Sequence, residues 1–182
     1  MSTPLAAEVV IRPAEAADMT AIAEIYAHHV LYGMASFETE APGVEEMERR
    51  RASLVGLGYP YLVAAQGGAV TGYAYAGPYR PRAAYRDTVE NSVYVRPHAL
   101  RIGIGSRLLA ALIEACEARG FRQMVAVVGD SANDPSIQLH ERHGFRLAGT
   151  LYSVGYKHGR WLDSVLLQRQ LGAGDTTPPC RD

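Results

Sequence analysis

The stretch VRPHALRIGIGS, residues 95–106, carries the main evidence for the fold and the chemistry of this chain. It follows a strand-like run, Thr88–Val95, and leads into an amphipathic helical pattern, Gly105–Arg119, which Gly120 closes. Backbone N–H groups at the start of a helix lack internal partners, and the positive end of the helix dipole lies there too. Glycine lets an anion approach the backbone closely. The turn therefore predicts a binding site for a phosphate group.

Two other phosphate-binding motifs do not fit this turn. A dinucleotide-binding loop needs a third glycine where the chain has Leu108, and an acidic residue about twenty positions later. A P-loop needs Gly-Lys-Ser/Thr, whereas the chain has Gly105-Ser106-Arg107. These residues alone leave one alternative open, a tight turn that binds nothing.

The segments on both sides of the turn predict one mixed domain. Strands are expected at Glu8–Arg12, Tyr59–Ala65, Ala69–Tyr79, Thr88–Val95, Phe121–Val128, Phe145–Lys157 and Trp161–Gln170. The other helices are expected at Glu15–Tyr32, Val44–Val55 and from Asp134, as N-cap, to about His143. Because Met124–Val128 is apolar throughout, its strand should be covered on both faces.

The expected fold is α/β, of the α+β type. Residues 1–171 should form a single domain with a mixed central sheet of about six or seven strands flanked by about four helices. The polar segment 172–182, which contains two prolines, should be a disordered tail.

Composition and charge exclude several classes of protein. The 182 residues are 48% hydrophobic and 20% charged, as in an ordinary soluble domain. With 19 acidic and 18 basic side chains, the chain lacks the basic balance of a nucleic-acid-binding protein. No apolar run approaches the ~20 residues of a membrane span, and Met1–Glu8 does not resemble a signal peptide. We expect a cytoplasmic protein with no nucleic-acid or membrane partner.

Cysteine and metal chemistry are not indicated. Cys116 lies in an apolar helical pattern and Cys180 in the tail, so the two do not form a disulfide framework. No group of His, Cys, Asp and Glu has the spacing of a metal site, and we expect no metal.

Several separate segments, together with the turn, resemble one known family. They are Ser36–Glu40, Ala76–Tyr79, Glu90–Val95, Val125–Asp130, Asn133–Ser136, His140-Glu141 and Lys157–Asp163. From about Val10 to Leu171 the chain is similar to the GNAT superfamily of acetyl-CoA-dependent N-acyltransferases. More narrowly, it resembles the phosphinothricin acetyltransferase branch, which includes enzymes acting on methionine sulfone and sulfoximine. The resemblance implies a homodimeric, detoxifying enzyme that transfers acetyl from acetyl-CoA to the α-amine of a small amino-acid analogue.

The resemblance also implies which residues hold coenzyme A. Backbone amides of the turn should hold its diphosphate, and they belong to Arg101, Ile102, Gly103, Ile104, Gly105 and Ser106. The preceding strand and the last helix should supply further cofactor contacts, from Val93, Tyr94, Val95, Asn133 and Ser136. The chain departs from the superfamily at Leu100, where Gln or Arg is usual. Binding should survive because the cradle is mainly backbone.

Glu90 and His140 are the candidate catalytic residues. A carboxylate in a central strand is costly unless it is hydrogen-bonded or serves a cleft, and the resemblance implies that Glu90 is the general base, acting through water. His140 stands where many GNAT enzymes carry tyrosine, and it could accept the proton of the amine or supply that of the thiolate. The alternatives are a partly exposed carboxylate and a structural histidine. Four other histidines have no such support: His28, His29, His98 and His143.

The loop before the Glu90 strand is cationic and should bind the substrate. Arginine can hold a carboxylate or phosphinate through two parallel hydrogen bonds. The resemblance implies a site lined by Phe37, Arg80, Arg82 and Tyr85. A solvated basic loop is the alternative. The loop's charge favours an anionic substrate over a polyamine or aminoglycoside, while a protein N-terminus and a non-catalytic acyl-CoA-binding module also remain open.

Overall fold

A computed structural model of the protein describes residues 8–179, in which seven strands form one mixed sheet of order β1-β2-β3-β4-β5-β7-β6. The strands are β1 Val9–Pro13, β2 Tyr61–Gln66, β3 Ala69–Pro78, β4 Thr88–Val95, β5 Gln123–Gly129, β6 Arg146–Lys157 and β7 Arg160–Gln170. Neighbouring strands are antiparallel except β4 and β5, which run parallel. The expected mixed sheet is confirmed.

Four helices cover the two faces of this sheet, as expected. They are α1 Met19–Tyr32, α2 Val44–Gly56, α3 Ile104–Ala118 and α4 Asp134–Arg142. Side chains alternate between the faces along each strand, so Tyr73 packs in the core beneath α1 and α2, whereas Ala74 packs beneath α3. The residues of α4 that are partly buried join the α3 side. No helix within residues 8–179 is long and apolar enough to cross a membrane.

The pairing of β4 with β5 ends part-way along both strands. The last registered pair is Asn91 with Ala126, although β4 continues to Val95 and β5 to Gly129. The carboxyl ends of the two strands therefore diverge. A cavity of about 50 Å³ lies in this gap, lined by both strands and by α4. In open α/β sheets, ligands bind outside the carboxyl ends of strands, so the gap is the first place to look for a site.

The structure corrects the predicted starts of three helices. Helix α1 begins at Met19 and not at Glu15, because residues Ala16–Asp18 form a separate 3-10 turn. The N-cap of α4 is Asn133, whose Oδ1 accepts the Ser136 N–H at 3.4 Å, and Asp134 is already helical. Both residue types cap helices well, so sequence favours neither. Helix α3 begins at Ile104, earlier than expected, because the left-handed Gly103 (φ 85°) ends the turn just before it.

Strand β5 is also less enclosed than its apolar sequence predicts. It begins at Gln123 rather than Phe121. The expectation that Met124–Val128 is covered on both faces is wrong at Val127, whose side chain is 39% exposed. The physical reason is that α1 and α2 pack mainly over β2, β3 and β4 and leave this face of β5 uncovered at Val127.

Residues 172–179, for which the sequence predicts disorder, form turns in the structure. Arg122 Nε donates to the Gly174 carbonyl at 2.8 Å, and the same guanidinium reaches Thr177. The Gln170 side chain also donates to Asp175 at 2.9 Å. That residues 172–182 form a disordered tail beyond a domain of residues 1–171 stays a prediction. Cys180 and the two residues after it lie outside the described residues, as do residues 1–7, on which the signal-peptide prediction falls.

Candidate active site

The turn between β4 and α3 exposes the backbone at the start of a helix. Arg101 and Ile102 are exposed, and Gly103 takes the left-handed conformation that glycine adopts without strain. The N–H groups in the first turn of any helix have no acceptor within the helix. In the described chain no side chain caps α3, so its N-cap position supplies no acceptor to them either. The Ile104 side chain is buried in the core, so this residue can reach a ligand only through its backbone. This geometry suits the anion site that the sequence predicts.

Ser106 connects this turn to α4. Its Oγ lies 2.8 Å from Nε2 of His143, a histidine to which the sequence assigned no role. Of the two glycines in the motif, only Gly103 is required by its backbone angle. A Cβ at Gly105 would meet its neighbours at an ordinary 3.6 Å.

Strand β4 presents backbone groups to the gap beside it. The N–H of Arg96 donates to the Thr71 carbonyl on the β3 side at 2.8 Å. Because backbone direction alternates along a strand, Val93 and Val95 point their N–H and C=O groups away from β3 and toward the gap. The Val95 carbonyl accepts a hydrogen bond from His29 Nε2 at 3.0 Å, which gives His29 a role that the sequence did not predict. Val93 therefore offers its backbone to a ligand.

Tyr94 borders the same cavity but is committed elsewhere. By the same alternation its backbone faces β3, and its ring packs against Tyr26 and Tyr73, with centroids 5.1 and 5.2 Å away. The Tyr94 side chain therefore packs in the core beside the gap. Its contact with the cofactor stays a prediction.

Glu90 lies on the α1–α2 face of β4, directly before the end of the β4–β5 pairing. Burial raises the pKa of the Glu90 carboxyl, and the positive charge of Arg80 partly opposes this rise. A raised pKa brings a carboxylate closer to the working range of a general base. The residue of β3 that pairs with Glu90 is Gly77. A Cβ at Gly77 would lie 3.3 Å from the Leu54 side chain, so there is little space for a side chain at this position.

His140 lies on the opposite face of the sheet and is only 4% exposed. Its Nδ1 is 2.8 Å from the Ser136 carbonyl oxygen, and its Nε2 is 2.9 Å from Nδ2 of Asn91. Burial lowers the pKa of His140, the Ser136 carbonyl raises it, and His143 lowers it further, with a net decrease. The lowered pKa and the burial favour the neutral form of the imidazole. The gap lies between His140 and Glu90.

Asn133 and Ser136 line the cavity and also build the local structure. The Asn133 side chain caps α4 and donates from Nδ2 to the Gly129 carbonyl at 3.4 Å. The Ser136 carbonyl holds His140. Contact of either residue with a ligand stays a prediction.

The cationic loop lies at the amino end of β4, near Glu90. Arg80, Arg82 and Tyr85 are exposed, and the Arg80 guanidinium lies over the Tyr79 ring, 5.1 Å from its centroid. Within residues 8–179, neither Arg80 nor Arg82 forms an ion pair. Their charges are thus available to an anionic ligand.

Phe37 reaches the same face of the sheet from the segment between α1 and α2. A Cβ at Gly129 would lie 2.9 Å from its ring, and a Cβ at Gly155 only 2.6 Å. These two glycines, one on β5 and one on β6, therefore make the space in which the ring lies. Phe37 is 38% exposed and Val127 is 39% exposed, so the sheet surface between Phe37 and Glu90 is open. Within residues 8–179, Phe37 forms no hydrogen bond or aromatic contact with Arg80 or Arg82.

Sequence reasoning missed Lys157, which anchors the Phe37 segment. Its Nζ is buried and donates to the carbonyls of Gly33 at 3.0 Å and Ser36 at 2.6 Å. Burial lowers the pKa of Lys157, and the charge of Glu38 opposes this decrease. The only available signal was the lysine's place at the end of a strand, within a segment already noted for its resemblance.

These elements are a turn that exposes the start of a helix, a gap in the sheet and a carboxylate near Arg80. Among residues 8–179, no group of three His, Cys, Asp or Glu side chains lies close enough to hold a metal ion. The profile of the family described as Acetyltransferase (GNAT) domain matches residues 11–166. The chain belongs to the GNAT acetyltransferase family. The resemblance that the motifs suggested is thereby confirmed.

Relatives of this GNAT chain carry the names that the resemblance led us to expect. The phosphinothricin N-acetyltransferase of Alcaligenes faecalis is 54% identical over 162 residues, covering 89% of this chain and 82% of the relative. The L-methionine sulfoximine/L-methionine sulfone acetyltransferase of Salmonella typhimurium is 41% identical over 161 residues, covering 88% and 94%. The crystal structure of a phosphinothricin acetyltransferase from Sinorhizobium meliloti in complex with AcCoA matches with a TM-score of 0.92 and 48% identity, covering 95% and 94%.

Proposed function

We propose that this GNAT protein transfers the acetyl group of acetyl-CoA to the α-amine of a small anionic amino-acid analogue, of the phosphinothricin, methionine sulfone or methionine sulfoximine type. One observation carries the proposal: the positive charge of Arg80, which forms no ion pair within residues 8–179, acts on Glu90, and Glu90 directly precedes the point where the β4–β5 pairing ends. The names of the relatives support the same substrates.

Acetyl-CoA is the cosubstrate. The turn binds one part of it and the gap binds another. The free N–H groups at 101–106 take the diphosphate at the positive end of α3. The pantetheine arm enters the gap beside the Val93 backbone and passes Asn133 and Ser136. Support comes from the related Sinorhizobium meliloti structure, which was determined with AcCoA.

The amine attacks the thioester directly. Within residues 8–179 the cysteine is Cys116, which is buried on α3 away from the gap, so no thiol there can carry the acetyl group. Glu90 removes one proton from the substrate ammonium through a water molecule, which frees the nitrogen lone pair. The C–N bond forms as the carbonyl electrons move to oxygen, where the Val93 N–H stabilises the developing charge.

The intermediate then collapses with cleavage of the C–S bond. The second proton of the amine ends on the departing sulfur. The products are the N-acetyl amide, the coenzyme A thiol and the proton held by Glu90, which is released to solvent. Atoms and charge are balanced without any other reactant.

A thiol-release assay tests the proposed function. Acetyl-CoA is offered with phosphinothricin, methionine sulfone, methionine sulfoximine and natural amino acids, and with spermidine and an aminoglycoside as rival amines. We expect turnover with the anionic analogues. Faster turnover with spermidine or the aminoglycoside would overturn the assigned substrate class. Calorimetric binding of acetyl-CoA without turnover of any amine would instead favour a non-catalytic acyl-CoA-binding module.

We also infer a homodimer in which a second copy covers the outer surface of β6 and β7. This edge of the sheet carries large exposed apolar side chains, which isolated monomers rarely display together. They are Leu147, Leu151, Tyr152, Val154, Tyr156 and Trp161. Light scattering should give twice the chain mass for the wild type and a smaller mass for Tyr152→Glu. A cytoplasmic location and a detoxifying role stay predictions.

A further inference from the structure

Asn91 forms a buried link between β4 and the candidate catalytic histidine. It is 5% exposed, and its Nδ2 lies 2.9 Å from Nε2 of His140. Its Oδ1 is also buried but has no hydrogen-bond partner among the described residues. Leaving a buried amide oxygen unpaired is energetically costly, so a specific interaction must hold the amide in this orientation.

The hydrogen-bond chain determines where His140 carries its proton. The Ser136 carbonyl can only accept, so Nδ1 of His140 is protonated and donates to it at 2.8 Å. In the neutral ring Nε2 then holds a lone pair, which accepts an N–H from Asn91. The opposite amide orientation would place the Asn91 oxygen against this lone pair, two acceptors in contact. The Asn91 Oδ1 therefore has no partner because the amide is oriented to donate to Nε2 of the Nδ1–H tautomer of His140.

We propose that Asn91 is a positioning residue that keeps Nε2 of His140 free of a proton in the resting enzyme, so that His140 enters the reaction as a proton acceptor and not as an acid. The proton it accepts is the second proton of the amine, which moves to Nε2 as the C–N bond forms and passes to the departing sulfur as the C–S bond breaks. While it carries this proton, Nε2 is a donor. The Asn91 amide then turns over and its oxygen accepts the new N–H, which gives that oxygen its missing partner. The inference rests on the proposed acetyl transfer and decides between the two roles that sequence left open for His140.

The other groups around His140 do not fix its tautomer. From α4, His143 is the titratable neighbour, and from β7, Arg169 donates to the His143 carbonyl. His143 lowers the pKa of His140, and the charge of Arg169 lowers the pKa of His143. Phe145 meets the His140 ring edge-on, with centroids 5.0 Å apart, and β5 contributes apolar side chains to this wall of the cavity. On the Nε2 side, Asn91 is the polar contact.

Proton–nitrogen correlation spectra of the histidine rings in isotope-labelled wild-type protein test the resting state directly. The His140 signals are assigned by their loss in His140→Gln. We expect a protonated Nδ1 and an unprotonated Nε2 at neutral pH. A proton on Nε2 under these conditions would overturn the inference. This measurement does not depend on turnover, so it separates failure of the inference from failure of the proposed function, which the thiol-release assay detects.

Substitution of Asn91 gives the kinetic test. In Asn91→Asp the carboxylate stabilises Nε2–H, so the His140 pKa should rise by about 1–3 units, and the acid limb of kcat should move to higher pH by the same amount. The matched control is the same change in a His140→Gln background, where no movement is expected. An equal movement in that background, or no movement with His140 present, would contradict the inference. Should Asn91→Asp fail to fold, the wild-type spectra still decide.

Discussion

Replacing Gly155 by alanine tests whether Phe37 positions the amine. A Cβ at Gly155 would lie 2.6 Å from Cε2 and 2.8 Å from Cδ2 of Phe37, and its three nearest atoms all belong to that ring. Since carbon atoms prefer about 3.5–4 Å, the ring must retreat by roughly 1 Å. Phe37 is partly exposed, so its ring can shift toward solvent, and the loss of stability should be about 1 kcal/mol, at the low end for overpacking.

The kinetic effect of Gly155→Ala should fall on the amine. A misplacement of about 1 Å in a positioning group can cost on the order of 100-fold, and Phe37 forms only one wall of the site. We therefore expect kcat/KM for the amine to fall by roughly 10- to 100-fold, mainly through KM. The KM for acetyl-CoA should not change, because the turn and the gap are untouched. Steady-state kinetics with each substrate varied in turn measures both effects.

Gly149→Ala provides the matched control. Gly149 lies on the same strand, and a Cβ there meets nothing within 4 Å. It should leave both KM values and the melting temperature near those of the wild type. If folded Gly155→Ala protein shows wild-type kinetics for the amine, or if Gly149→Ala loses as much, Phe37 does not line the amine site.

Three further predictions concern the base, the cations and the turn. Glu90→Gln should lower kcat by about 10²–10⁴-fold and remove the contribution of Glu90 to the acid limb of kcat/KM, leaving that of His140. Because folding raises the Glu90 pKa, the free energy of unfolding of the wild type falls as the pH rises through that pKa. At alkaline pH the melting temperature of Glu90→Gln should therefore exceed that of the wild type. Below about pH 4.3 the two melting temperatures should be equal. Arg80→Ala and Arg82→Ala should each raise KM for an anionic amine by roughly 10- to 100-fold, since a charge-assisted hydrogen bond is lost. Arg119→Ala, the control, should not change this KM. Unchanged KM values in the first two variants would show that the loop is only a solvated basic loop. Gly103→Ala should lower the free energy of unfolding by about 1 kcal/mol and weaken acetyl-CoA binding in calorimetry, since φ there is 85°; full affinity would exclude the turn from the diphosphate site.

Local chemistry explains which features the sequence could predict. The phosphate turn depends on adjacent residues, a strand end, Gly103 and a helix start, and all three appear in order along the chain. The open carboxyl end of β5 was not predictable from Met124–Val128, because an apolar run does not record that a neighbouring strand turns away. The space for Phe37 depends on Gly129 and Gly155, distant residues that only the folded sheet brings together.

The buried polar residues were hidden for a related reason. Lys157 and Asn91 stand in strands, where a polar side chain usually predicts an exposed position. What makes each of them functional is a partner far along the chain, the carbonyls of Gly33 and Ser36 for one and Nε2 of His140 for the other. Sequence periodicity reports which face a residue occupies, and it does not report the partner it meets there.

The end of the β4–β5 pairing explains how one strand serves two sides of the reaction. A continuous sheet separates its faces, so a base on one face cannot act on a group held on the other. Here pairing stops at Asn91, one residue after Glu90. Because successive side chains of a strand point to opposite faces, Glu90 lies on the face of the cationic loop and Asn91 on the face of His140. A thioester inserted where the strands part is therefore accessible from both faces, and consecutive residues at this one point can govern the amine and the imidazole separately.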